Sequence, residues 1–138
     1  MSSFKIFDIA GSGMSAQSVR LNTVASNLAN ADSVSGDPNN VYRAKHPVFQ
    51  AVLDSGLNAD AASASVTVSG IAENPAAPTS RYDPGNPLAD AQGYVYAPNV
   101  NIVEEMTDMI SASRSYQNNV EVLNTARDLM LDTLKLGQ

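Results

Sequence analysis

The sequence predicts a mostly α chain: long N- and C-terminal helices packed as a coiled coil, with a small β-containing middle segment. Three observations carry this. Near the N-terminus Phe7, Met14, Leu21 and Leu28 recur every seven residues, with Ala10, Gln17, Val24 and Ala31 offset by three. Near the C-terminus Ile102, Met109, Tyr116, Leu123 and Met130 repeat likewise, partnered by Met106, Ser113, Val120, Arg127 and Leu134. Between these stripes lie all seven prolines, every one but Pro38 within about 41–100, together with the turn signals. Apolar residues at a and d positions make a narrow seam, the kind one helix lays against another.

The first segment, 1–33, is a helix over about 4–31. Gly11 and Gly13 weaken it by about 1 kcal/mol each relative to Ala. A kink or a close helix contact explains Gly-Ser-Gly better than a phosphate loop, which needs a preceding strand and a further glycine. Asp32 to Asn40, rich in Ser, Gly, Asp, Asn and Pro, ends the helix.

The middle segment, 34–100, is loop-rich with short strands. Ser65 to Ile71 alternates strand formers with small polar residues, as a half-buried strand does. Gly93-Tyr94-Val95-Tyr96 reads as a second strand, and Asp83-Pro84-Gly85-Asn86-Pro87 as a turn. Asn74 to Pro78 and the His46-Pro47 stretch read as loop, and Leu53 to Ala64 as a mobile connection. Such a β element is marginal alone.

The last segment, 101–138, carries the stronger helix. Asn101 suits an N-cap, with Glu104 three residues on and Glu105 in the first turn, where the helix dipole favours a negative charge. Some 35 residues at 1.5 Å each run roughly 50 Å. The middle segment is too short to cover that length, so neighbours must.

The stripes supply the candidate packing residues. On the first helix these are Met14, Leu21, Val24, Asn27, Leu28 and Asn30. On the second they are Met106, Met109, Tyr116, Asn118, Asn119, Val120, Leu123, Met130 and Leu134. Polar residues on a seam lower stability but restrict register. The asparagines, Asn27, Asn30, Asn118 and Asn119, are expected to bridge packed copies through their amides.

Composition excludes several functions. The chain of 138 residues carries a net charge of −6, and its eight basic residues do not cluster, which argues against nucleic acid. Without cysteine there is no disulfide, thiolate metal site or thiol nucleophile. No apolar run approaches the roughly 20 residues that span a bilayer, so no membrane insertion is expected, and no cleaved leader is visible. The only histidine, His46, lacks a recognisable catalytic grouping. The pairs Glu104/Asp108 and Asp128/Asp132 offer too few oxygens for a hard cation, so no metal or other cofactor is expected.

Ser26-Asn27-Leu28-Ala29-Asn30-Ala31 resembles the N-terminal signature of the flagellar axial proteins, the rod, hook and hook-associated proteins. Tyr42-Arg43 fits the aromatic-basic pair that follows it there. Pro98 to Met106 and Ser113 to Val120 resemble the downstream signatures, and Tyr82 to Ala91 leading into Gly93-Tyr94-Val95 resembles the middle of the short, proximal rod type. The intervening Asp32 to Val41, with Gly36-Asp37-Pro38, also favours that type over longer relatives. The resemblance implies a non-enzymatic subunit of the proximal rod, the drive shaft that surrounds the export channel in the periplasm. It implies as partners copies of itself, other rod proteins, the flagellar type III export apparatus and the MS-ring/rod-base adaptor protein. Export without a cleaved signal peptide follows from the same resemblance. A soluble two-helix adaptor or a type III secreted interaction protein is the other reading.

Overall fold

The structure, a computed structural model, describes residues 3–54 and 63–136. Helix α1 (Ser3–Asn30) is followed by strands β1 (Lys45–Asp54), β2 (Ser63–Glu73), β3 (Thr79–Tyr82) and β4 (Tyr94–Ala97), and helix α2 (Ile102–Leu136) closes the chain. The Asn101 side chain caps α2, its Oδ1 accepting from the Val103 and Glu104 amides at 3.2 and 3.4 Å. With 35 residues, α2 is about 50 Å long.

The helices run antiparallel. Asn27 meets Glu105 and Arg20 meets Asp108, while Gly13 lies against Asn119 and Ile6 shares a groove with Ala126 and Met130. A Cβ at Gly13 would stand 2.9 Å from Asn119 Nδ2, so this glycine marks a close helix contact. Gly11 faces open space.

Two separate two-stranded sheets fill the middle. β1 and β2 form an antiparallel hairpin in which Val48 pairs with Gly70 but Phe49 with Val68. Ser69 is the extra residue of this bulge, and its hydroxyl donates to the Val48 carbonyl at 3.1 Å. The hairpin packs on α1, where the Val66 amide donates to Ser12 Oγ at 3.1 Å. β3 and β4 form the second antiparallel pair. It is tied to the segment after α1 by reciprocal amide-to-carbonyl bonds between Ser35 and Tyr96, at 3.0 and 2.8 Å. Asp90 shapes the turn into β4: its carboxylate accepts from the Tyr94 and Gln92 amides at 2.8 and 2.9 Å and from the Tyr96 hydroxyl at 3.3 Å. The Tyr94 amide above all holds this carboxyl below its ordinary value. What it contributes is therefore present above the ordinary aspartate range and lost as pH falls through the lowered value.

The expected strand at Ser65–Ile71 lies inside β2, and the one at Gly93–Tyr96 overlaps β4 from Tyr94 on, Gly93 being a turn residue at φ 83° just before it. His46-Pro47 is not loop: both residues belong to β1. β1 is bonded on one side only, and a proline N–H is dispensable along the other edge. β3 has only four exposed residues and exists through its pairing with β4. Of the stretch expected to be mobile, 53–54 and 63–64 are strand, and 55–62 lies outside the described residues.

The core is thin. Along the helices it consists of Ala10, Ala16, Val24, Ala112 and Ala126, and in the middle of Val41, Ala44 and Val95. The largest fully buried side chains are Val95 and Asn27, one of them an amide. The chain exposes 9271 Å², against about 6,900 Å² for a compact monomer of its mass. Val103, Ile110, Leu129, Leu131 and Leu136 on α2 and Val48, Phe49, Val52 and Leu53 on β1 all face solvent.

A close backbone approach yields a test. A Cβ on Gly36 would lie 2.5 Å from the Leu88 carbonyl oxygen, which has no flexible end to move aside. Gly36→Ala is expected to lower the stability of the full chain by about 1–3 kcal/mol, read as a reduced urea midpoint. An unchanged midpoint would mean that the Leu88 loop is free to yield.

Candidate functional site

Two features of the helix pair bear on function: a buried polar junction at the end where α1 meets the start of α2, and an uncovered stripe along α2.

The junction centres on Asn27, which is 0% exposed. Its Nδ2 donates to the Lys45 carbonyl and to Glu105 Oε1, both at 2.8 Å. Its Oδ1 accepts from the Tyr42 hydroxyl at 2.8 Å and the Lys45 amide at 2.9 Å. Two donors and two acceptor sites are all that a side-chain amide has. Asn27 therefore joins α1, the Tyr42–Lys45 segment and α2 with full satisfaction. Ser26 Oγ lies 3.2 Å from the Tyr42 hydroxyl, and the Lys45 ammonium sits 5.7 Å from the Tyr42 ring centroid. A second amide, Asn99, works beside it: it accepts from the Ala44 amide at 2.9 Å and donates to the Asn74 and Ala76 carbonyls at 3.2 and 2.8 Å.

Glu105 is the titratable member. It is 3% exposed, its Oε1 is held by Asn27, and its Oε2 is buried without a hydrogen-bond partner. Burial pushes its carboxyl above the ordinary value, against the opposing pull of the Asn27 bond and of His46. Asp108, one turn on, pairs with Arg20 at 2.7 Å. Asp128 and Asp132 pair with Arg127 and Lys135, and no group of three metal-ligating side chains occurs among the described residues.

The inward face of α2 repeats every seven residues, but not with the expected partner stripe. Met109, Leu123 and Met130 are half-buried, with Tyr116 close to that level. They alternate with Glu105, Ala112, Asn119 and Ala126, three of which are buried. Met106, Val120 and Leu134, expected on the seam, lie one position further round and are 54%, 36% and 66% exposed. With Ile110 and Leu131 they form an outward stripe, apolar towards both ends of the helix.

On α1, Val24 is buried, and Met14, Leu21 and Leu28 are half-buried. Asn27, expected to bridge copies, has all its bonds inside the chain, and Asn30 donates to the Ser26 carbonyl of its own helix at 2.8 Å. Asn118 is exposed and Asn119 packs against Gly13. Sequence reasoning missed Glu105 as a seam residue. Its seven-residue relation to Ala112, Asn119 and Ala126 is the signal that finds it.

An extended antiparallel helix pair whose thin core leaves large apolar side chains of α2 exposed fits a subunit that packs against neighbours. Residues 7–36 match the family described as "Flagella basal body rod protein", and residues 91–136 match "Flagellar basal body rod FlgEFG protein C-terminal". The chain is 56% identical over 138 residues to the flagellar basal-body rod protein FlgC of Escherichia coli O6:H1, covering all of both chains. It is 55% identical to that of Salmonella typhimurium over the same 138 residues, and 42% identical to that of Agrobacterium fabrum over 131 residues, 93% of this chain and 90% of the relative. The chain belongs to the flagellar basal-body rod protein family, among the FlgC proteins. It is a structural subunit of the basal-body rod, assembling with other rod components, and not an enzyme.

The junction predicts a graded response. Tyr42→Phe removes one bond to a buried amide and is expected to cost about 1 kcal/mol. Asn27→Ala leaves Lys45, Tyr42 and Glu105 unpaired together and is expected to cost about 3 kcal/mol or more. Urea midpoints of the two variants check the order, and equal midpoints would remove Asn27 as the centre.

Proposed function

We propose that the outward stripe of α2, from Met106 through Val120 to Leu134, packs against copies of this chain and other rod proteins in a helical array around a central channel. Neighbouring helices complete the α1–α2 pair as a coiled coil, in the proximal, periplasmic part of the rod, with the MS-ring/rod-base adaptor protein below. The chain reaches that place unfolded through the flagellar type III export apparatus, without signal cleavage. Tyr116, Asn118 and Asn119 flank the stripe, while Met14, Leu21, Leu28 and Asn30 present half-covered surface on α1.

The observation that carries this reading is the pairing of a thin core with a heptad-spaced apolar stripe left open on α2. A helix about 50 Å long contributes little order by itself, because most helical stability in proteins comes from packing an apolar face. A chain that gains much of its burial from neighbours unfolds easily in transit and orders on assembly.

Two substitutions three residues apart separate the internal seam from the outer one. Val120→Asp places a charge on the outward stripe and is expected to change the stability of the isolated chain by no more than about 0.5 kcal/mol while abolishing rod assembly and motility. Leu123→Asp lies on the half-buried inward face and is expected to reduce both chain stability and assembly. Motility assays in a strain lacking the native chain, with urea unfolding of each purified variant, check this. Normal motility with Val120→Asp would remove the stripe from assembly, and a monodisperse small oligomer in place of an open polymer would favour an adaptor.

A further inference from the structure

Glu105 is a buried acid at the point where three segments meet. On its own helix its charged neighbours are Glu104 and Asp108, both acidic, and Asp108 is already engaged by Arg20 of α1 at 2.7 Å. What α1 presents to the Glu105 carboxyl itself is the neutral Asn27 amide. From the segment after α1, the Tyr42 hydroxyl donates to Asn27, and the Lys45 ammonium lies over the Tyr42 ring and 4.0 Å from Glu73 of β2. His46 is the remaining group that favours a charge on Glu105, and the first turn of α2 acts in the same direction. Neither makes a hydrogen bond to Oε2, which is buried and unpartnered. An ionised carboxylate so placed costs far more than a neutral acid, which keeps the Asn27 bond on one oxygen and carries no charge on the other.

We propose that Glu105 takes up a proton as the chain folds, a proton-linked latch that fastens the first turn of α2 onto Asn27 and the Tyr42–Lys45 segment. The sign follows from the direction of the shift. With the folded value above the unfolded one, the latch stabilises fully below the ordinary glutamate value of 4.5 and is lost as pH rises through the folded value. Between the two values the folded-to-unfolded ratio falls by up to about tenfold per pH unit. The closed junction is thus favoured on the acid side and loosened on the alkaline side. Glu105→Gln, which carries no titrating proton, removes that dependence.

The test is circular dichroism and urea unfolding of the dilute full-length chain from pH 4.5 to about 8.5. The expected result is a helical signal and urea midpoint that fall with rising pH in the native chain and stay level in Glu105→Gln, with His46 retained in both. Carbon-13 NMR of the Glu105 side-chain carboxyl supplies a readout independent of the variant's folding, with an expected midpoint above 4.5. A midpoint at or below 4.5, or the same pH dependence in Glu105→Gln as in the native chain, overturns the proposal.

Discussion

The fold depends on one buried amide. Asn27 is among the two largest fully buried side chains, so the place where a globular protein puts a leucine or phenylalanine is here occupied by a polar group. Burying an amide is unfavourable unless each of its donors and acceptors is met. Asn27 meets all of them, with the backbone of Lys45, the hydroxyl of Tyr42 and the carboxyl of Glu105. Because those partners come from two other parts of the chain, the Tyr42–Lys45 segment and α2, the amide is satisfied only when both are in place against α1. Geometry is thereby specified by hydrogen bonds where apolar burial is too small to specify it.

The same economy shows along the helices. Ala10, Ala112 and Ala126, with Gly13, let α1 and α2 approach closely while burying little area per residue. Most of the large apolar side chains of α2 instead lie outside, from Val103 and Met106 to Leu134 and Leu136. A stand-alone domain would reverse that distribution. Here the two sizes are divided: small residues set the internal geometry, and large ones are left on the surface.

Much of the fold was legible in the sequence because periodicity, capping and turn chemistry are local. Asn101 caps α2, the Asn86 amide donates to the Asp83 carbonyl at 3.1 Å in the expected turn, and β2 contains the expected strand, although its burial does not alternate and Val66 and Ile71 are exposed. β1 was hidden by Pro47, since the sequence does not say that this strand has a free edge. The seven-residue repeat of α2 was legible, but its inward flank was not. Hydrophobicity selects Met106 and Val120 over Glu105 and Asn119, and only the partners Asn27 and Gly13 on α1 make the polar residues the inward ones. The signature around Asn27 was visible as a family mark, while its chemistry, four bonds converging from distant segments, is a property of the tertiary structure.

The alanine and glycine lining between the helices has a mechanical consequence. A methyl group has no torsion to rotate under shear, and a glycine has no side chain at all, so displacement of one helix past the other meets backbone almost at once. Interfaces built from long side chains soften through rotamer changes; here Met109, Leu123 and Met130 are only half-buried, while Ala112 and Ala126 occupy buried positions of α2. Strain applied at one end of such a pair is handed along its length more than it is absorbed, a property suited to a structural subunit of a rod.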